Sequence, residues 1–289
     1  MELKHIATRA GRLSSFLQNE MGMSSGLINK LKWQNKIFVN GTPQHNDYAV
    51  KPEDVIIAVL DEEEPAYPAQ DGLLTVLYED DHILAVDKPA GMLIHPSRAT
   101  MTGTLANRVL AYYRKTGQKS AFHPVTRLDR DTFGVVLLAK NAYVHAFLNT
   151  AHANGKLQKY YSALVYGEPF PEVGVIDAPI ARRPLPSLLR YVDAEGKPSR
   201  TEYAVLERYG SHSLLSLRPV TGRTHQLRVH CAHIGHPILG DPQYNTAESR
   251  AFSEANGLST QLLCAQSVQF VHPITAEHMC IATKMQVKL

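Results

Sequence analysis

Asp129 stands inside Arg127-Leu128-Asp129-Arg130-Asp131, four charges in five residues, just before the apolar run Val135-Val136-Leu137-Leu138-Ala139. A strand entering a core has no packing use for two carboxylates and two guanidiniums, which are rarely buried unless paired. The cluster is either a solvated loop of surface ion pairs, each worth little, or the mount of a carboxylate kept for chemistry. A second candidate lies downstream, in Thr221-Gly222-Arg223-Thr224-His225-Gln226-Leu227-Arg228. The pattern predicts a strand-to-helix corner with Thr224 as N-cap and Arg228 one turn into the helix. A cation beside a carboxylate favours its ionised form, the form a nucleophilic Asp requires. Taken alone, Arg228 could equally snorkel to solvent from an amphipathic helix.

Other chemistries find less support. His225, His230, His233 and His236 follow one another around Cys231, but zinc needs three or four ligands converging on one point. Histidines at these offsets spread around a helix whose apolar face is Leu227, Cys231 and Ile234, so no metal site is expected. Neither Gly-x-Gly-x-x-Gly nor Gly-x-x-x-x-Gly-Lys occurs, so no nucleotide cofactor is expected. Gly-x-Ser-x-Gly is missing too.

The elements that must position these residues follow from periodicity. Leu13, Phe16, Leu17 and Met21 predict a helix ending at Gly22, and Ser24 or Ser25 caps a second with Leu27, Ile28 and Leu31 on one face. "KIFVNGTP" gives a strand and an Asn40-Gly41 turn, and "DVIIAVL" a further strand. Residues 1–60 thus form a small unit of helix, helix, strand, turn, strand. Residues 61–72, acidic and Pro-containing, read as a linker. Residues 73–289 form the second unit, opening on a hairpin about Glu79-Asp80-Asp81. Helices follow at "TGTLANRVLAYYRKTG" and "NAYVHAFLNTAHANG". "QKYYSALVYGEP" alternates so that Lys159, Tyr161, Ala163 and Val165 share one side of a strand. More strands are expected at "TEYAVLERY", "HSLLSLRPV", "QSVQFVHP" and "HMCIATK". Strands cluster without regular βαβ alternation, so the fold class is α+β, a largely antiparallel mixed sheet beside a small N-terminal α/β unit.

Composition agrees with such a chain. Its 289 residues are 44% apolar and 20% charged, with three widely spaced cysteines, which suggests a reducing compartment and no disulfide framework. No apolar run is long enough to span a membrane, and no basic region with an apolar signal core opens the chain. A cytoplasmic location is therefore expected. The net charge of +3 hides an asymmetry of +2 over residues 1–60, −5 over 61–72 and +6 over the remainder. That mildly basic body permits a polyanionic partner.

The two charged blocks together are similar to those of the RluA-type pseudouridine synthases: "HPVTRLDRDTFGVVLLAKN", then far downstream "TGRTHQLRVHCAHIGHPILGDPQY". "EDDHILAVDKPAGMLIHP" resembles the opening hairpin of that family's catalytic domain, "QKYYSALVYGEP" its Lys-x-Tyr strand, and "VQFVHPIT" its closing strand. The resemblance covers about 200 residues, in order. It implies an isomerase of specific uridines in structured RNA, foremost large-subunit ribosomal RNA and alternatively transfer RNA, acting without cofactor or metal after flipping the target base. It makes Asp129 the catalytic aspartate, Arg228 its ion-pair partner, Tyr161 the aromatic that stacks on the base, and Arg127 the side chain that fills the vacated gap. Arg223 and His225 are implied RNA contacts. No catalytic role falls to Asp131, whose expected part is local hydrogen bonding.

"GLINKLKWQNKIFVNG" resembles the small RNA-binding domain shared with ribosomal proteins, which offers Lys30, Lys32 and Lys36 to phosphates. Several positions depart from the family pattern. Ser14 or Ser15 stands at a usual acid, Thr126 and Cys264 at usual histidines, and Phe133 at a usual small serine. The loop 181–203 offers Arg182, Arg183 and Arg190, fewer bases than the family pattern leads one to expect. A catalytically idle RNA-binding or ribosome-assembly factor and a metal-dependent hydrolase are the competing classes; a monomer is expected.

Overall fold

The computed structural model describes residues 2–60, 67–97, 99–184, 186–187 and 189–289. The acidic half of the expected linker, residues 61–66, and Leu185 and Leu188 in the loop 181–203 lie outside them.

The first sixty residues build a sheet in which Val55–Val59 pairs antiparallel with both Glu2–Ile6 and Ile37–Val39, and Ile37–Val39 turns into Thr42–Pro43. Asn40 and Gly41 make that turn with φ of 50° and 79°, the left-handed pair that Asn-Gly adopts cheaply. The helix Ser25–Trp33 starts at Ser24, whose Oγ accepts from the Leu27 amide at 3.3 Å, and it buries Leu27, Ile28 and Leu31. The periodic stretch before it is a short α-turn, Leu13–Ser15, widening into a π-turn, Phe16–Glu20. The strand Glu2–Ile6 was not expected. Its residues are only half-buried or exposed in alternation, so its apolar period is too faint to read. A single apolar cluster joins Leu17, Met21 and Ile56 to Ile83, Leu137 and Leu148 further along the chain.

Residues 67–72 do not hang free. Gln70 donates its amide to the Asn107 carbonyl at 3.0 Å, and Asn107 Nδ2 donates to the Pro68 carbonyl at 2.7 Å. Tyr67 and Ala69 pack on the apolar cluster of the helix Leu105–Lys115. Beyond them lies a ten-stranded sheet. Its main path runs Val173–Asp177, Arg200–Arg208, His212–Pro219, Gln158–Tyr166, Leu263–Val271, Phe133–Ala139, Ile83–Lys88, Thr75–Glu79. All neighbours are antiparallel except Phe133-Gly134, which run parallel to Cys264-Ala265. The α+β class with a largely antiparallel sheet is what the strand pattern predicted; Val173–Asp177 and the hairpin Ile180–Arg182/Arg190–Val192 escaped it.

Two helices explain why "VVLLA" is apolar without alternation. Val136 and Leu138 face Leu105, Val109 and Tyr113 on one side of the sheet. Val135, Leu137 and Ala139 face Val144 and Leu148, from the helix Ala142–Ala153, on the other. A strand covered on both faces is apolar at every position, and each Val or Leu among these contributes about 1.5–3 kcal/mol. Gly134 has φ +110°, and a Cβ there would fall 2.3 Å from the Ala265 carbonyl oxygen. Only glycine allows the close approach that joins the two halves of the sheet, five residues after Asp129.

Candidate active site

At this junction the sheet opens into a cleft of 580 Å³. Asp129, Arg127, Tyr161, Arg223, His225 and Arg228 all line it. Asp129 comes from the loop before Phe133–Ala139 and is partly exposed. That loop is tied from below by Lys88, which is fully buried and which the sequence reading did not single out. Its ammonium donates to the carbonyls of Pro89 at 2.9 Å, Met92 at 2.8 Å and Arg130 at 2.8 Å, three acceptors for three protons. Burial pushes its pKa down to about 8, against the opposing pull of Asp131 and Asp129. The available signal was a lysine ending the buried run "ILAVDK", where a charge needs partners. Asp131 is paired with its neighbour, accepting from Arg130 Nε at 3.0 Å and Nη2 at 3.1 Å.

Arg228 does not snorkel; it is 5% exposed. Its Nη1 donates to Asp129 Oδ2 at 3.3 Å. Nε and Nη2 donate to Asp241 at 2.7 and 2.8 Å, and Nη2 also to Gln243 Oε1 at 2.9 Å. The guanidinium lies 4.9 Å from the Tyr244 ring centroid, within cation–π reach. Burial opposes its charge, but Asp241 first and Asp129 second outweigh that and raise its pKa. Asp241, Gln243 and Tyr244 stand in the "GDPQY" block without having been assigned parts.

The corner before the helix Gln226–His233 is built differently from expectation. The N-cap is His225, with φ 58° and ψ 18°, rather than Thr224. Gln226 closes the corner in place of a capping threonine. Its Oε1 accepts from Thr221 Oγ1 at 2.7 Å and from the Arg223 amide at 3.0 Å. Its Nε2 donates to the Arg200 carbonyl and Thr201 Oγ1, both at 3.0 Å. His225 Nδ1 meets the Tyr244 hydroxyl at 2.8 Å, and Nε2 lies 3.9 Å from Asp129 Oδ2. Burial lowers the His225 pKa, with Asp129 opposing and Arg228 and Arg190 assisting.

Tyr161 forms part of the floor at 8% exposure. Burial pushes its phenol up, helped by Asp129 and then Cys264. Lys159, two residues earlier on the same strand, also lines the cleft. Its pKa is lowered to about 8 by burial and by Arg127, and that of His152 beside it to about 4 by burial and by Lys159. Arg127 and Arg223 are exposed at the rim.

Two of the other histidines around Cys231 are held by protein groups, and His233 is exposed. His230 lies 2.9 Å from Thr201 Oγ1 and 3.0 Å from the Ala178 carbonyl, and His236 lies 2.9 Å from the Tyr166 carbonyl. Among the described residues no group of His, Cys, Asp and Glu is placed to hold a metal ion. Thr126, at the usual histidine, is buried and accepts from the Leu137 amide at 2.9 Å. Lys30, Lys32 and Lys36 belong to the small N-terminal unit and are not brought to this cleft. No described helix is long and apolar enough to cross a membrane.

The RNA pseudouridylate synthase family matches residues 82–233, the stretch that holds Asp129, Tyr161 and Arg228. An uncharacterised RNA pseudouridine synthase of Bacillus subtilis is 34% identical over 90% of this chain and 90% of its own length. The ribosomal large subunit pseudouridine synthase D of Buchnera aphidicola is 33% identical over 86% of this chain and 82% of its own. The solved structure of human RNA pseudouridylate synthase domain containing 1 superposes with a TM-score of 0.61 at 26% identity, covering 75% of this chain and 86% of that one. With a matching family model, relatives along nearly its whole length and a shared fold, the chain belongs to the RluA-type RNA pseudouridine synthases, isomerases that convert uridine to pseudouridine in RNA.

Proposed function

We propose that the protein isomerises specific uridines of large-subunit ribosomal RNA, with Asp129 as the catalytic carboxylate. The observation that carries this reading is the Asp129 carboxylate in a 580 Å³ cleft, 3.3 Å from a guanidinium that Asp241 and Gln243 hold in place. The large-subunit substrate rests on relatives named for it, such as the synthase of Buchnera aphidicola.

The reaction exchanges one glycosidic bond for another. A uridine within folded RNA leaves its stack before the enzyme reaches its base, with Arg127 at the rim suited to fill the gap. The bond from nitrogen 1 to the anomeric carbon breaks, the uracil turns, carbon 5 bonds to the sugar and loses its proton, and nitrogen 1 takes up one proton, so the product is an isomer of uridine. A carboxylate serves an anomeric centre in this way in glycosidases. Because no water is added, one carboxylate suffices. Tyr161 stacks on the base from the cleft floor, and Arg223 and His225 contact RNA at the helix corner. No cofactor enters this account. In the cytoplasm, a monomer would use residues 1–60 as an auxiliary RNA-binding unit and residues 73–289 as the catalytic one.

The test maps pseudouridine in total RNA from cells lacking the gene, and from the same cells carrying the wild-type or the Asp129→Ala protein. Specific ribosomal sites should vanish on deletion and return only with wild type. Sites lost in transfer RNA instead would move the substrate. Equal restoration by Asp129→Ala would remove the carboxylate from the mechanism, and no change at all would favour a non-catalytic RNA-binding factor.

A further inference from the structure

Trp33 is the only tryptophan of the chain, and it stands 82% exposed at the end of the helix Ser25–Trp33. A large apolar ring left in water is an observation that asks for a partner. Lys32 holds its ammonium 5.6 Å from the indole centroid, a cation–π distance. Lys30 lies in the same helical turn and Lys36 just past it, so cations gather at the end where the helix dipole is negative. Residues 21–46 carry three lysines and no acid, although the chain as a whole is nearly balanced.

We propose that Trp33 and Lys32 form a stacking platform for an unpaired base of the substrate RNA, away from the catalytic cleft, with Lys30 and Lys36 serving the flanking phosphates. The proposal rests on RNA being the substrate. A polyanion suits the Lys32 ammonium beside the ring, and an indole with one face free suits a base whose own face is free, which excludes paired bases within a helix. A protein partner is a poorer fit, since the cores of protein interfaces are depleted in lysine, and Gln34, Asn35 and three lysines surround this ring in sequence. None of these residues lines the cleft. The platform would therefore add affinity for long RNA without touching the reacting uridine.

The unique tryptophan supplies the experiment. Full-length protein is titrated with oligouridylate of about 12 nucleotides, a length within reach of one binding site, and with an RNA duplex of equal length. Trp33 emission should be quenched saturably by the single strand and little by the duplex. Fluorescein-labelled oligouridylate then gives affinities by anisotropy at fixed salt. Trp33→Ala should weaken binding roughly 5- to 150-fold, the stacking range for one base, and Trp33→Phe should keep most of it. An exposed ring leaves the fold intact, which Tm confirms. Emission unchanged by oligouridylate overturns the platform, as does quenching with unchanged Trp33→Ala affinity. Pseudouridine formation in RNA from deletion cells is scored separately. If wild type modifies that RNA while Trp33 is silent, the platform falls and the proposed activity stands. If Trp33 is quenched and Trp33→Ala binds weakly while no uridine is converted, the reverse holds.

Discussion

Arg228 is bound in bidentate fashion by Asp241, Nε to Oδ2 at 2.7 Å and Nη2 to Oδ1 at 2.8 Å, closer than the 3.3 Å that separates its Nη1 from Asp129. The arginine is therefore positioned from behind. Asp241 is itself fixed, accepting at Oδ1 from the amides of Gln243 and Tyr244 at 2.9 and 3.1 Å. The pair leaves Asp129 with a cation whose place does not depend on substrate, and such fixed charge costs no reorganisation during the reaction.

Asp241→Asn should therefore harm both fold and catalysis. Removing one partner of a buried pair costs about 3–5 kcal/mol, and a guanidinium shifted by an ångström lowers kcat about 100-fold. Urea unfolding and single-turnover rates measure the two effects. The double variant Arg228→Met/Asp241→Asn separates them, since it removes the unpaired cation, keeps an acceptor for the Gln243 and Tyr244 amides, and should recover stability without recovering turnover. A wild-type rate in Asp241→Asn would mean that Asp129 and Gln243 suffice to orient Arg228.

Lys88 acts one step further from the chemistry, by holding the Arg130 carbonyl next to Asp129. Lys88→Met leaves three carbonyls without their donor, of which the Met92 one is fully buried and costs about 1–3 kcal/mol. Because Lys88 does not line the cleft, KM for RNA should stay within a few-fold while kcat falls about 100-fold as the Asp129 loop shifts. Lys88→Arg should not rescue, because a flat guanidinium cannot reach three converging carbonyls as an ammonium does. Equal losses in kcat and KM would instead indicate general loosening of the cleft.

Lys159 should make RNA affinity depend on pH. In the free protein its pKa is lowered to about 8, first by burial and second by Arg127. A phosphate beside it would hold the proton to higher pH, so binding takes up a proton between the free and bound pKa values. Affinity is then full below pH 8 and falls about tenfold per unit above it. Lys159→Arg, charged throughout, should flatten the profile. A wild-type Kd constant from pH 7 to 9 at fixed salt would show that Lys159 meets no phosphate.

Local pattern and tertiary partnership divide what the sequence disclosed. Asp129, Tyr161 and Arg228 were named from their blocks, and all three line one cleft. The strand Phe133–Ala139 was evident from five consecutive apolar residues, because burial on both faces leaves a run no surface strand has. Asp241 and Gln226 were not singled out, since what they bind lies across the fold: Gln226 reaches Thr201, 25 positions away, and no spacing rule encodes that. Lys88 gave only the signal of a charge ending the apolar run Ile83–Lys88, and its three carbonyl partners are set by the tertiary fold. The expected Thr224 cap failed for a related reason, since Gln226 already satisfies the corner's donors.

Tyr161 tests whether the floor of the cleft contributes a surface or a base. Burial first, then Asp129, then Cys264 push its phenol above the ordinary value of 10. It is therefore protonated at neutral pH, and a phenolate that takes the carbon 5 proton would be scarce. What remains is a flat ring 8% exposed at the cleft. Tyr161→Phe keeps that ring and loses one hydroxyl, worth about 0.5–1.5 kcal/mol, so turnover should fall only about 3- to 12-fold. Tyr161→Leu loses the stack, about 1–3 kcal/mol, and should weaken binding more than Phe does. Rates at saturating RNA between pH 6.5 and 9 discriminate further, because saturation removes the influence of Lys159 on affinity. A phenolate base would give a wild-type rate climbing about tenfold per pH unit and a Tyr161→Phe protein without turnover. A stacking ring gives a rate without that climb and a phenylalanine variant that still converts uridine.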